Sequence, residues 1–386
     1  MLPNRNAWKV AAGVHTDKVA STTIPSVTRG NSGGTLKKSI KLLAIIAATA
    51  LVGGVAVAPA SQAAKVKLCL ALDTGGVDDH SFNAGAWAGA KASTVSTAEY
   101  LPSTSSADFA PNIKKFVDKK CQLIVGVGFA ISGEIVKSAK LNPGIKYAVV
   151  DDQAYDHGAD GSVYPGSPVA NVKGLTFSTD EAAFEAGYLA AGMSKTGKVA
   201  TYGGAPYGTV TIFMDGFAKG VAYYNKKKNK SVKVLGWDPA KPAAGTFVGN
   251  FSDGNKALTI SNGFEQQGAD VILPVGGSLG LSYALASVKS KKSLTIWVDS
   301  DAYDLLPQIR SVLLSTVVKQ IGNSVKSVAA DVASNKFTND SYVGTLANKG
   351  VSIAPYHDLS SRVPALLQSE VRKIGLDIAA GKLSVK

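Results

Sequence analysis

From Lys65 onward the chain alternates short apolar runs with Gly-containing turns and amphipathic stretches, and it does so twice. Val66 to Leu72 reads as a strand ending at Asp73-Thr74-Gly75-Gly76, and Ser81 to Ala92 as the helix that follows. Gln122 to Val127 and Lys146 to Val150 are further strands, separated by a helical stretch from Ser132 to Lys140. The pattern restarts with a helix from Glu181 to Lys195, a strand from Lys198 to Tyr202 and a helix from Thr211 to Asn225. Val232 to Trp237, Val271 to Val275 and Leu294 to Val298 supply more strands. Strands that alternate with helices need crossover connections, and these give parallel sheets covered on both faces. The chain is therefore α/β, with two doubly wound Rossmann-like lobes. Its length of 386 residues agrees, being too great for one compact core. Ligands of such lobes bind at the carboxyl ends of the strands, here in the cleft between them.

The formal charge of +13 invites a nucleic-acid or membrane partner, so its location matters. Seven of the 41 Lys and Arg and one of the 28 Asp and Glu precede Lys65, so +6 lies in the first 64 residues and +7 is spread over the rest. In that first segment, Lys37-Lys38-Ser39-Ile40-Lys41, the apolar run Leu42 to Ala60 and Ser61-Gln62-Ala63-Ala64 read as a secretory signal, cleaved near Ala63 or Ala64. Initiation at Leu36, on a non-ATG codon, would put this signal at the amino terminus. The expected product is secreted or extracytoplasmic and associated with the cell envelope, with no lipobox cysteine at the cleavage point. No helix-turn-helix precedes the first strand, and the lysines are scattered or stand at helix ends, so no nucleic-acid partner is expected.

Two cysteines allow at most one bridge. Cys69 lies in the first strand, and Cys121 just precedes the strand that would lie beside it in a flavodoxin-like order. A bridge is geometrically reasonable and would persist outside the cytoplasm; two separate buried thiols are the alternative. Gly276-Gly277-Ser278-Leu279-Gly280 fits a nucleophile elbow, with Asp299 or Asp301 and then His357 in hydrolase order. Two glycines after a strand equally suit close backbone approach to a ligand. The other histidines, His15, His80 and His157, have no metal or catalytic spacing, and there is no phosphate-binding loop.

Two loop-to-helix junctions resemble each other: Asp78-Asp79-His80-Ser81-Phe82-Asn83 in the first lobe and Gly249-Asn250-Phe251-Ser252-Asp253 in the second. Each sets a phenylalanine among helix-capping residues. Across a shared cleft, Phe82 and Phe251 can close on opposite faces of a planar ligand, each stack contributing about 1–3 kcal/mol. Asp73, Asp151 and Asp299 each follow an apolar strand and reach the cleft edge, with Asn83 and Lys319 nearby. Carboxylates beside flat rings suit a neutral ligand with hydroxyl and N–H donors, such as a nucleoside.

On these residues the chain resembles the basic membrane protein family of substrate-binding proteins, which includes purine nucleoside receptors of ABC importers. The matching stretches are Leu72 to Asn83 with Trp87, Val125-Gly126-Val127-Gly128-Phe129, Tyr147 to Asp151, Glu181 to Gly187, Gly268 to Ile272, Val298-Asp299-Ser300-Asp301 and Ser315 to Lys319. The resemblance implies a type I periplasmic-binding fold with hinge closure. It places residues 65–176 and about 302–338 in lobe 1, and 177–301 and about 339–386 in lobe 2. It further implies that Phe82 and Phe251 sandwich a base, that Asp73 and Asp151 bond its edge, and that Asn83, Gly276, Asp299 and Lys319 line the ribose side. The expected partners are a nucleoside-like ligand and an ABC permease. The expected protein is a monomer without cofactor, metal or catalytic chemistry. Alternatives are a sugar or other small polar ligand in the same fold, and an extracellular serine hydrolase using Ser278, Asp299 and His357. Ser132-Gly133-Glu134 stands after Phe129 where many relatives carry an acidic residue, so the pocket rim is expected to differ.

Overall fold

The computed structural model describes residues 65–158 and 166–386. The upstream segment, the secretory signal and its cleavage point lie outside the described residues. In chain order the strands are β1 (Val66–Leu72), β2 (Ser96–Leu101), β3 (Leu123–Val127), β4 (Lys146–Val150), β5 (Val172–Phe177), β6 (Lys198–Gly203), β7 (Lys233–Leu235), β8 (Val271–Val275), β9 (Leu294–Asp299), β10 (Leu313–Lys319), β11 (Tyr342–Gly344) and β12 (Val351–Ile353). The helices are α1 (Phe82–Lys91), α2 (Phe109–Asp118), α3 (Ser132–Leu141), α4 (Thr179–Met193), α5 (Gly208–Lys228), α6 (Gly254–Gln266), α7 (Leu281–Ser290), α8 (Ala302–Leu305), α9 (Ile321–Ala333) and α10 (Ala365–Ala379).

The strands form two six-stranded sheets of the same order, β2-β1-β3-β4-β5-β11 and β7-β6-β8-β9-β10-β12. Neighbours pair in parallel except β12, which runs antiparallel to β10. Because helices cover both faces, β3 and β8 are buried at every residue. That is why they read as unbroken apolar runs rather than alternating ones. In α5 the last turn ends on Lys226, Lys227 and Lys228, whose charges complement the carbonyl end of the helix. The helix closes at Asn229, which adopts the left-handed conformation.

The chain passes between the sheets three times, after β5, after β10 and between β11 and β12. These passages revise the expected boundaries. Within 302–338, β10 belongs to the second sheet, paired with β9, and only α9 packs on the first lobe, against α1. Conversely β11, expected in lobe 2, pairs with β5 in the first sheet. Sheet pairing sets these boundaries, and α9 reaches the first lobe through a close approach: a side chain on Gly89 of α1 would collide with the backbone of Gly322, so the two glycines let α1 and α9 meet backbone to backbone. The strands β2, β5, β10, β11 and β12 and the helices α2, α8, α9 and α10 are not anticipated from the sequence; β11 and β12 are three residues long and β2 is partly polar.

The lobes touch where the loop before α1 meets the end of β9. Ser81 Oγ donates to the Val298 carbonyl and to Asp299 Oδ2, both at 2.8 Å, and Ser300 Oγ donates back to the Ser81 carbonyl at 2.8 Å. Trp297 Nε1 donates to the His80 carbonyl at 3.3 Å.

Candidate functional site

The interlobe cleft encloses a cavity of about 290 Å³, near the lower end of the roughly 300–1,000 Å³ typical of small-molecule sites. Asp73, Phe82, Asn83, Asp151, Phe251, Gly276, Asp299 and Lys319 all line it. Topology brings them together. Asp73, Asp151 and Asp299 stand at the carboxyl ends of β1, β4 and β9, and β4 and β9 are the fourth strands of equivalent sheets. Asp151 and Asp299 each have a φ of 68°, a left-handed backbone that non-glycine residues adopt seldom and at some cost.

Both carboxylates converge on Lys319, the last residue of β10. Its Nζ donates to Asp151 Oδ2 at 2.6 Å and stands 3.4 Å from Asp299 Oδ1, with the lysine side chain only 2% exposed. Burial pulls the ammonium's pKa down, but Asp151 and Asp299 more than offset this and hold it above the usual lysine range. The ammonium also lies over the rings of Phe82 at 4.8 Å, Phe213 at 5.3 Å and Phe177 at 5.7 Å. Lys319 is thus a fixed positive centre joining two strand ends, one from each lobe.

A second polar cluster organises the start of α1. Asp79 accepts the backbone N–H groups of Ser81, Asn83 and Ala84 at 2.8–3.0 Å, satisfying donors that the first turn leaves unpaired. Burial nevertheless pushes the Asp79 carboxyl up to about 6. Asn83 Nδ2 donates to Asp73 Oδ1 at 2.7 Å and to Asp79 Oδ2 at 3.2 Å, which fixes the orientation of the amide. Burial raises Asp73 above the ordinary carboxylate range, against the donors Asn83 and Gly75. The opposite atom of the amide, Asn83 Oδ1, is buried with no hydrogen-bond partner among the described residues. The same holds for Asp299 Oδ1, whose contact with Lys319 lacks hydrogen-bond geometry. Two residues that line the cleft thus each keep a buried oxygen outside any hydrogen bond.

Aromatic rings supply the rest of the lining. Phe82 opens α1, and Phe251 presses on Gly204, where an added Cβ would lie 2.5 Å from the ring. Four aromatic lining residues were not among the expected site residues: Phe109, Phe129, Tyr207 and Phe213. Phe129 follows β3 after a single glycine, so the strand-end rule that found the aspartates could have found it too, whereas Tyr207 lies beyond the Gly-Ala-Pro turn that follows β6. Beyond Phe129, Ser132 is buried at the start of α3 and Glu134 pairs with Lys137 at 2.7 Å.

The hydrolase alternative does not assemble. Ser278 and Asp299 line the cavity, but His357 does not. Its Nε2 lies 2.9 Å from Asp301 Oδ2, and its ring stacks on Tyr303 with centroids 4.0 Å apart. A general base must reach the proton that it takes. Cys69 and Cys121 bring their sulfurs to bonding distance, with Cα atoms 6.1 Å apart, linking β1 to the start of β3. Among the described residues no helix is long and apolar enough to cross a membrane.

Known proteins place this geometry. The chain is 29% identical to the ABC transporter nucleoside-binding protein BmpA of Lactococcus lactis, over 83% of this chain and 89% of that one. It is 27% identical to basic membrane protein A1 of Borrelia garinii, over 81% and 86% respectively. An ABC solute-binding protein from Aeropyrum pernix superposes with a TM-score of 0.67 at 20% identity, over 83% of this chain and 92% of that one. One from Conexibacter woesei gives 0.62 at 21% identity, over 83% and 98%. These establish a type I periplasmic-binding architecture. The profile of PnrA-like ABC transporter substrate-binding proteins matches residues 66–385, and the chain belongs to that family.

Proposed function

We propose that this protein is the extracytoplasmic receptor of an ABC importer and captures a nucleoside between its lobes, a purine nucleoside fitting best. The observation that carries this reading is a cleft wall that combines aromatic rings with the polar side chains of Asn83 and Asp299, each of which keeps one buried oxygen outside any hydrogen bond. Such acceptors favour a neutral ligand with hydroxyl and N–H donors, and the rings favour a flat one. Four carboxylates, Asp73, Asp79, Asp151 and Asp299, line the cavity with one ammonium, that of Lys319, which is already paired with Asp151 and Asp299. A phosphorylated ligand would meet like charge there. The name of the Lactococcus lactis relative points the same way.

In this reading Phe82 and Phe251 flank the base, and Asp73 and Asp151 accept from its edge. Asn83, Asp299, Lys319 and the backbone at Gly276 serve the sugar. Closure of the lobes presents both to the permease, with the protein acting as a monomer after removal of its secretory signal and with Cys69 and Cys121 bridged. Calorimetric titration with nucleosides, free ribose, hexoses and a nucleoside 5′-monophosphate tests it. Nucleosides should bind, the monophosphate at least about tenfold more weakly, and Phe82→Ala and Phe251→Ala should each cost at least tenfold, about 1.4 kcal/mol. Preference for a hexose, or nucleoside binding untouched by both substitutions, would refute the assignment.

A further inference from the structure

Two partly exposed aromatic residues meet across the cleft mouth from opposite lobes. Phe129 follows β3 of the first sheet, and Tyr207 lies between β6 and α5 of the second. Their ring centroids are 5.6 Å apart with planes tilted by 39°. Tyr207 also stacks on Phe251 at 6.1 Å and 28°. Three rings thus run in series from one lobe into the other, and all three line the cavity.

The backbone holds each end in place. Gly128, with a φ of 116°, turns the chain so tightly that an added Cβ would lie 2.7 Å from Asp73 Oδ2, and the next residue, Phe129, is 46% exposed. On the other side the Tyr207 carbonyl accepts the N–H groups of Val210 and Thr211, both at 2.9 Å, so this residue is tied to the first turn of α5. Tyr207 is itself 37% exposed. Both rings are partly exposed, and each covers the other. Because Phe129 follows a strand of the first sheet and Tyr207 a strand of the second, opening of the lobes would separate them, and their contact would mark the closed arrangement.

We propose that Phe129 and Tyr207 form an interlobe aromatic latch, and that Tyr207 is a positioning residue that sets how long a bound ligand stays. The proposal rests on the reading of this cleft as a closing ligand site. Through Phe251 the latch also braces one wall of the cavity. An interaction present only in the closed state slows release and leaves the encounter rate nearly unchanged. Aromatic pairs of this geometry confer a several-fold bias beyond simple burial.

A double-mutant cycle provides the test. Wild type, Phe129→Ala, Tyr207→Ala and the double variant are compared by stopped-flow with adenosine, guanosine and inosine. Each single variant should release nucleoside about fivefold faster with little change in association rate. The double variant should be no worse than either single one, and Tyr207→Phe should restore slow release. Additive losses would mean that the two rings act separately, and would overturn the latch. A second arm needs no ligand. Nitroxides on ketone side chains, introduced at the exposed Lys114 and Lys289 with the cysteines untouched, report the lobe separation by pulsed dipolar spectroscopy. Unliganded Tyr207→Ala should show a smaller short-distance population than wild type. If the two distributions coincide, the latch is wrong even where nucleosides bind; if they differ and no nucleoside binds, the latch stands and the ligand assignment falls.

Discussion

At the scale of single residues, the cleft depends on one lysine. Lys319→Met would leave Asp151 and Asp299 buried without a cation, and breaking a buried pair this way costs about 3–5 kcal/mol. Burial already holds the folded-state Asp151 carboxyl above the ordinary carboxylate range, and losing the Lys319 ammonium removes the charge that opposes this. Part of the lost stability should then return as the pH falls through that raised value towards the unfolded one. Chemical denaturation of the variant at pH 7 and pH 4.5 checks this, and an equal loss at both would contradict it. Glu185, in the middle of α4, offers a second titration away from the cleft. Burial, with Glu181 adding to it, pushes Glu185 up to about 8, and Tyr356 and the backbone of Gly375 lie close by. The folded state binds this proton more tightly than the unfolded one, so its contribution falls as the pH rises from the unfolded value near 4.5 to about 8. Glu185→Gln should raise the melting temperature at pH 8.5 and change it little at pH 4.5. An identical difference at the two pH values would show that Glu185 does not titrate in this way.

At the scale of elements, two joints deserve measurement. Gly89→Val should drive α1 from α9 and destabilise the first lobe by about 1–3 kcal/mol, seen as a lower urea midpoint. Reduction of a Cys69–Cys121 bridge should cost about 2–5 kcal/mol, whereas two thiols would leave the melting temperature unmoved by reductant. The strands that a reader recognises without coordinates are the buried ones, such as β3 and β8, where apolar runs and glycine turns coincide. The partly polar β2 and the three-residue β11 and β12 carry no such signal, because sheet pairing rather than local pattern makes them strands. The same holds for the lobe boundary. Nothing local in Leu313 to Lys319 says which sheet it joins; its pairing with β9 and β12 decides that. The aspartates at strand ends were legible because the strands before them were. Tyr207 was not, since it follows a turn of Gly, Gly, Ala and Pro with no apolar periodicity of its own.

At the scale of the whole molecule, the equivalence of the two sheets explains why the cleft has its chemistry. Asp151 and Asp299 occupy matching strand ends of the two sheets, so the cleft between them brings two carboxylates to one lysine. The charge that looked suited to nucleic acid is concentrated in neither lobe's binding wall, where carboxylates outnumber ammonium groups. Mass spectrometry of the small molecule retained by natively purified protein, released by denaturation, tests the central claim most directly. The account predicts the mass of an unphosphorylated nucleoside in near-stoichiometric amount. Recovery of a hexose or of a nucleotide instead would contradict it.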